Sequence, residues 1–207
     1  NRWEIINHLV ILPMYKEPEK VVRETIRNLT ATNYPPKNLF VTLAIEERGG
    51  EEDLRVAEKV QRELGNIFGG FLITRHPADL PGEIPGKGSN EVWAAKTAIP
   101  KLIDPSGILE ENVLVSVFDV DTVVYSDFFS CLSWNFLTAV KPLKSSFQPI
   151  PLYINNIWEA PAFARIFAFS TTFWHMIQQS RPEQLVTFSS QSISFKALVD
   201  VGFWQEN

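Results

Sequence analysis

The chain has 207 residues, 45% hydrophobic and 21% charged, an ordinary globular composition that excludes a disordered chain and is long enough to bury one core. Its net charge is -5 and no basic patch interrupts it, so a phosphate polymer is repelled and nucleic acid is not an expected partner. The single cysteine, Cys131, excludes an internal disulfide and fits a reducing compartment.

His8 to Met14 reads as a buried strand. Glu17 to Ala31 follows as a helix, with Pro18 in its first turn and Val22, Ile26 and Leu29 on one face. Leu39 to Ile45 is a second strand, and Glu51 to Leu64 a second helix that opens on acidic residues and stops at Gly65. Gly70 to Thr74 is a short third strand. His76 to Gly88 is a Pro- and Gly-rich loop, Asn90 to Ile103 is helical, Val113 to Phe118 is another buried strand, and Ser126 to Val140 is a helix. Strands alternating with helices predict an α/β fold with a mostly parallel sheet covered on both faces, and ligands at the carboxyl ends of its strands. No signal peptide opens the chain. Both ends read as cut: the chain begins at Asn1 and stops at Asn207 without an evident end to the fold. No run reads as a membrane span, because Arg165, Ser170, Thr171, Thr172 and His175 interrupt Phe163 to Ile177. The segment Trp158 to Ser180 nonetheless carries Phe163, Phe167, Phe169, Phe173 and Trp174 around much of a helix. It reads either as a core helix or as one lying on a membrane surface or against transmembrane helices.

The strand ends carry the chemistry. Val113 to Phe118 runs into Asp119-Val120-Asp121, two carboxylates at a strand mouth. Such a hard, oxygen-rich pair suits Mn2+ or Mg2+ with positions left for phosphate oxygens, or else forms a turn that caps the next helix. Pro13, Tyr15 and Glu17 follow the first strand, and Glu46 and Glu47 end the second. Their carboxylates can accept hydrogen bonds from a nucleoside base or ribose, or serve only as helix-start charge and solvated surface. The loop from Pro81 to Asn90 brings glycines, Lys87 and a helix start together, an arrangement that favours an anion, though without Walker A spacing. His8, His76 and His175 have no metal-ligand spacing to one another, and His76 reads as structural or solvated; Cys131, beside Leu132 in an apolar helix, reads as a core residue and not a nucleophile.

In this order the segments VILPMYKEP, PGKGSNEVWAAK, FDVDT and SSQSISFKALVDVGFWQEN resemble glycosyltransferase family 2. The resemblance covers Leu9 to Gln205 and implies the GT-A fold in one domain over residues 1–207. Residues 1–125 would form the nucleotide-sugar-binding half and 126–207 the acceptor-side half. It further implies transfer, with inversion, of a sugar from a nucleotide-diphospho-sugar, a UDP-sugar first among them, to a hydroxyl on a glycan or lipid-linked acceptor. Asp119 and Asp121 would hold the metal. Pro13, Tyr15, Glu17, Glu46, Glu47, Lys87, Asn90 and Asp119 would line the donor site. Lys16 stands where the family has asparagine, and Ile45-Glu46-Glu47-Arg48-Gly49-Gly50 where it has an acidic "D-D-G-S". The family's "E-D" general base is expected beyond Asn207, so the chain by itself should bind donor better than it turns it over. The parent protein is expected at the cytoplasmic face of a membrane, held by flanking segments. A nucleotidyltransferase and a non-catalytic sugar-nucleotide-binding module are the alternatives. The first is disfavoured because Pro13-Met14-Tyr15-Lys16 is not a glycine-rich, arginine-bearing loop.

Overall fold

The computed structural model describes residues 2–154, 157–181 and 190–204. Among the described residues six strands form one sheet: β1 (Asn7–Met14), β2 (Leu39–Glu46), β3 (Gly70–His76), β4 (Val113–Val117), β5 (Ser146–Phe147) and β6 (Gln191–Ser194). Their spatial order is β3-β2-β1-β4-β6-β5. The first four are parallel; β6 runs antiparallel between β4 and β5. Both faces are covered, as the unbroken apolar runs require. Alternate residues of β1 divide between two cores. Val10, Leu12 and Met14 pack with Val22, Ile26 and Leu29 of α1 (Glu19–Thr30) and with Val56 and Val60 of α2 (Glu51–Leu64). Leu9 and Ile11 pack with Ala94, Ala95 and Ala98 of α3 (Lys87–Ala98), whose small side chains let the helix lie close to the sheet.

Helices α1 and α3 differ at their ends from the sequence reading. α1 begins two residues later, at Glu19. α3 begins at Lys87 rather than Asn90, because Ser89 Oγ accepts the Gly86 N–H at 3.2 Å and closes the first turn earlier. At its other end α3 widens into a π-helical turn (Ile99–Ile103) at Pro100, which has no N–H for the α-helical ladder. This turn leads into α4 (Asp104–Ser106) and ends at left-handed Gly107. Next come α5 (Phe128–Thr138), α6 (Ala162–Gln178) and α7 (Phe195–Asp200). The short strands β5 and β6 have no apolar signature. What fixes β6 in the sheet is its ladder to β4, crossed by a buried Ser116–Ser192 hydroxyl pair at 2.8 Å.

α6 is not a core helix. Its only buried residue is His175, while Phe163, Phe167, Phe169, Phe173 and Trp174 are exposed. Among the described residues, no helix is long and apolar enough to cross a membrane.

His8 is structural. It is fully buried on β1, edge-on to Tyr34 and against Phe129, with Nε2 3.0 Å from Ser133 Oγ. Burial lowers its pKa to about 3. The unfolded chain therefore binds a proton that the folded chain refuses between the ordinary value of 6.5 and about 3. Stability linked to His8 is complete above that window and is lost as pH falls through it. We expect wild type to lose about 2 kcal/mol relative to His8→Phe between pH 7 and pH 5. Parallel denaturant curves of the two proteins at both pH values measure this difference; pH-independent spacing of the curves would contradict it.

Candidate functional site

The sheet order reverses between β1 and β4, and the crevice of an α/β sheet opens at such a switch point. The chain leaves β4 through Phe118, whose N–H still bonds Ile11 O at 3.1 Å, and enters the loop from Asp119 to Val124. α1 anchors this loop from beneath. Thr25 Oγ1 donates to Val120 O at 2.6 Å, and the Asn28 amide brackets Val124, donating to its C=O at 3.1 Å and accepting its N–H at 2.8 Å. Val120 is buried between its neighbours, so the two aspartates are left at the surface of the crevice. The Asp119 C=O accepts the Thr122 N–H at 2.8 Å, which makes the segment a turn. Its carboxylate is not the cap of that turn but an ion-pair partner of Lys87 Nζ from the start of α3. The next helix, α5, starts only at Phe128.

Asp119 and Asp121 line two cavities at once. On one side lies a cavity of about 430 Å3 bounded by Pro13, Met14, Tyr15, Glu17, Glu46, Arg48, Lys87, Asp119, Val120 and Asp121. On the other lies a cleft of about 400 Å3 bounded by the loop from Thr122 to Tyr125, by Pro151 to Ile154 and by Ser190. The aspartates thus stand at the partition between a chamber built from the ends of β1, β2 and α3 and one built from later parts of the chain.

Seven of the nine residues expected at the site come together in the first cavity: Pro13, Tyr15, Glu17, Glu46, Lys87, Asp119 and Asp121. Glu47 and Asn90 do not line it. Glu47 accepts the Ala78 N–H at 3.0 Å and holds the loop after β3. Asn90 is fully buried under α3 and donates to Ala44 O at 2.7 Å, tying that helix to β2.

Several contributors carry no local sequence signal. Arg48 pairs with Glu46 and lays its guanidinium over the Tyr15 ring, 4.8 Å from the centroid. Buried Asp53, in the first turn of α2, accepts the Lys16 N–H through both oxygens at 3.2 and 3.0 Å. This bond holds Lys16 in the left-handed region, φ 62°, where asparagine is tolerated better than lysine. Gly49 makes room for that carboxylate: a Cβ there would lie 2.0 Å from Asp53 Oδ2.

The first cavity is anionic, with four carboxylates (Glu17, Glu46, Asp119, Asp121) against two cations (Arg48, Lys87). Burial raises the Glu17 pKa, with further upward pressure from the Asp53 and Asp121 charges, although N–H bonds from Tyr15 and Glu17 oppose it. Behind the cavity, Glu91 lies 3.8 Å from Lys87 and is pushed up to about 7, chiefly by burial and further by Asp119, against the lowering pull of Lys87. An uncompensated diphosphate would meet repulsion here, so the cavity suits an anion that arrives with a cation. Among the described residues no three His, Cys, Asp or Glu side chains gather into a metal cage. The Asp119–Asp121 pair is a two-residue oxygen donor set. It fits a hard divalent cation that takes its other ligands from water and phosphate oxygens.

No known family model matches the chain, and no curated protein matches it. Solved structures do. The mannosyltransferase PcManGT from Pyrobaculum calidifontis, in complex with GDP-Man and Mn2+, aligns over 97% of this chain and 48% of its own with TM-score 0.61 and 14% identity. The crystal structure of S. aureus TarS 1-349 aligns over 98% of this chain and 51% of its own with TM-score 0.54 and 14% identity. Its complex with UDP gives TM-score 0.54 over 97% and 51% at 14% identity. The chain has the GT-A fold. It spans about half the length of these solved chains. At such identity the likeness extends to the fold alone.

Proposed function

We propose that the chain is the donor-binding part of a glycosyltransferase of the family 2 type, which takes a sugar from a nucleotide-diphospho-sugar and passes it to a hydroxyl acceptor. The observation that carries this reading is the position of Asp119 and Asp121, shared by the two cavities at the switch point of the sheet. The 430 Å3 cavity takes the nucleoside diphosphate, with UDP or GDP as the donor nucleotide, and the 400 Å3 cleft takes the acceptor. Tyr15, Glu46 and Arg48 offer a ring, a carboxylate and a guanidinium to base and ribose. Lys87, released from Asp119, donates to a phosphate oxygen from the start of α3.

Asp119 and Asp121 would hold Mn2+ or Mg2+, which when bound supplies Lewis-acid stabilisation of the charge gathering on the leaving diphosphate. The acceptor oxygen forms its bond to the anomeric carbon as the carbon–oxygen bond to the diphosphate breaks. The electron pair leaves on the diphosphate, and the acceptor proton goes to a general base. The base is expected beyond Asn207; the carboxylates in the described lining of the acceptor cleft are Asp119 and Asp121. Cys131 is exposed rather than in the core, because it lies on the outer side of α5 away from buried Leu132, and as a free thiol it fits a reducing compartment such as the cytoplasmic face of a membrane.

The test is a ligand series in Mn2+: nucleoside, nucleoside monophosphate, nucleoside diphosphate. We expect the largest gain in affinity at the second phosphate, and about a tenfold loss of that gain in Lys87→Met. Equal affinity along the series would count against the reading.

A further inference from the structure

A third cavity, of about 590 Å3, lies beyond the acceptor cleft. The two share Tyr125, and successive residues of one loop wall them: Phe147 to Ile150 face the third cavity and Pro151 to Ile154 the acceptor cleft. Its other walls come chiefly from α5, where Phe128, Cys131 and Leu132 stand beside Asp127 and Asn135, with Gln179 and Ser192 completing them; most of the lining surface is apolar, and the volume falls in the range of small-molecule sites. The loop is fixed rather than draped. Thr172 Oγ1 on α6 donates to Pro151 O at 2.9 Å, and Gln179 Nε2 donates to Gln148 O at 3.1 Å. The acceptor cleft therefore continues, along a single pinned wall, into an apolar chamber that the transfer chemistry itself does not use.

We propose that this chamber holds the apolar tail of the acceptor, so that the sugar is passed to a hydroxyl carried on an alkyl or isoprenoid chain. The inference rests on the transferase reading above. A purely polar glycan would leave an apolar chamber of this size wet and unused. A tail lying in it would contribute about fourfold in affinity for each methylene removed from water, while its head group lies in the cleft beside Asp119 and Asp121.

Cys131 allows a direct test, because it is the chain's only cysteine, is exposed, and lines the chamber. The rate of its alkylation by a small polar thiol reagent is measured in the full chain with glucose, hexyl glucoside and octyl glucoside, each below its micelle concentration. Octyl glucoside is expected to protect Cys131, with about fifteenfold tighter half-protection than hexyl glucoside, and glucose not at all. Asn135→Trp, placed on an exposed, chamber-lining position of α5, is expected to abolish protection without altering nucleotide titration in Mn2+. Protection that ignores tail length, or that survives in Asn135→Trp, overturns the proposal. So does an absence of protection in a protein that still binds nucleotide, and in that case the transferase reading stands. Protection in a protein that binds no nucleotide overturns the acceptor assignment together with that reading.

Discussion

Asp121→Ala should remove most of the gain that Mn2+ gives nucleotide binding and should reverse the order of the two proteins between metal-free buffer and Mn2+. In metal-free buffer Asp121 adds negative charge to a cavity that already holds an excess of it, and its charge raises the Glu17 pKa. Removing it lowers the repulsion felt by an incoming diphosphate, so the variant should bind UDP or GDP without metal as well as wild type or slightly better. In Mn2+ the order inverts. The cation would keep Asp119 as its one protein carboxylate, and even outer-shell partners of metal ligands change affinity about 10–100-fold. We expect the variant to lose most of the gain that Mn2+ gives wild type, about tenfold or more in metal-dependent affinity. Titration of both proteins in both buffers reads the crossing directly. Parallel losses with and without Mn2+ would make Asp121 a direct or structural contact and not a metal ligand.

The second large effect is on the loop after β1. Asp53 satisfies the Lys16 N–H from a buried position, and Gly49 leaves the space that Asp53 fills. Asp53→Ala leaves that N–H without its partner and frees a left-handed lysine whose conformation is costly unless held. The expected cost is about 2 kcal/mol, or about 4–8 °C in Tm for a chain of this size. Gly49→Ala acts through the same bond, because its Cβ would displace the Asp53 carboxylate. It should cost about as much. The double variant should be little worse than either single one, since both remove one interaction. Strictly additive losses in a thermal or denaturant cycle would mean that the two residues act independently. Tyr15 and Glu17 flank Lys16, so both variants should also weaken nucleotide binding although neither residue lines the cavity.

Much of this arrangement is legible in the residues themselves. The strands β1, β2 and β4 are apolar runs of a length that only a sheet covered on both faces buries, and the structure places them side by side. Helix α2 runs over the expected span because acidic residues open it and Gly65 follows it. Seven of the expected site residues share a cavity because strand ends on either side of a switch point must converge. What stays hidden depends on partners distant in sequence. The Asp53–Lys16 bond spans 37 positions, and the Thr25 and Asn28 bonds that hold the Asp119 loop span 95 and 96. No periodicity announces such bonds. Glu47 and Asn90 fit the local pattern of ligand contacts as well as the others do. Only the fold turns one toward Ala78 and the other toward Ala44. β5 and β6 escape notice because two and four residues carry too little alternation to be read. Residues 205–207, in the stretch expected to precede the general base, lie outside the described residues.

In the proposed reading, the cavity beside Asp119 and Asp121 takes a nucleoside diphosphate together with a divalent cation. The most direct measurement is calorimetric titration of UDP and of GDP into the wild-type chain, in metal-free buffer and in Mn2+. Saturable one-to-one binding of at least one of the two is expected, about tenfold or more tighter with Mn2+. Binding of neither nucleotide under either condition, or binding of equal strength with and without Mn2+, would contradict it.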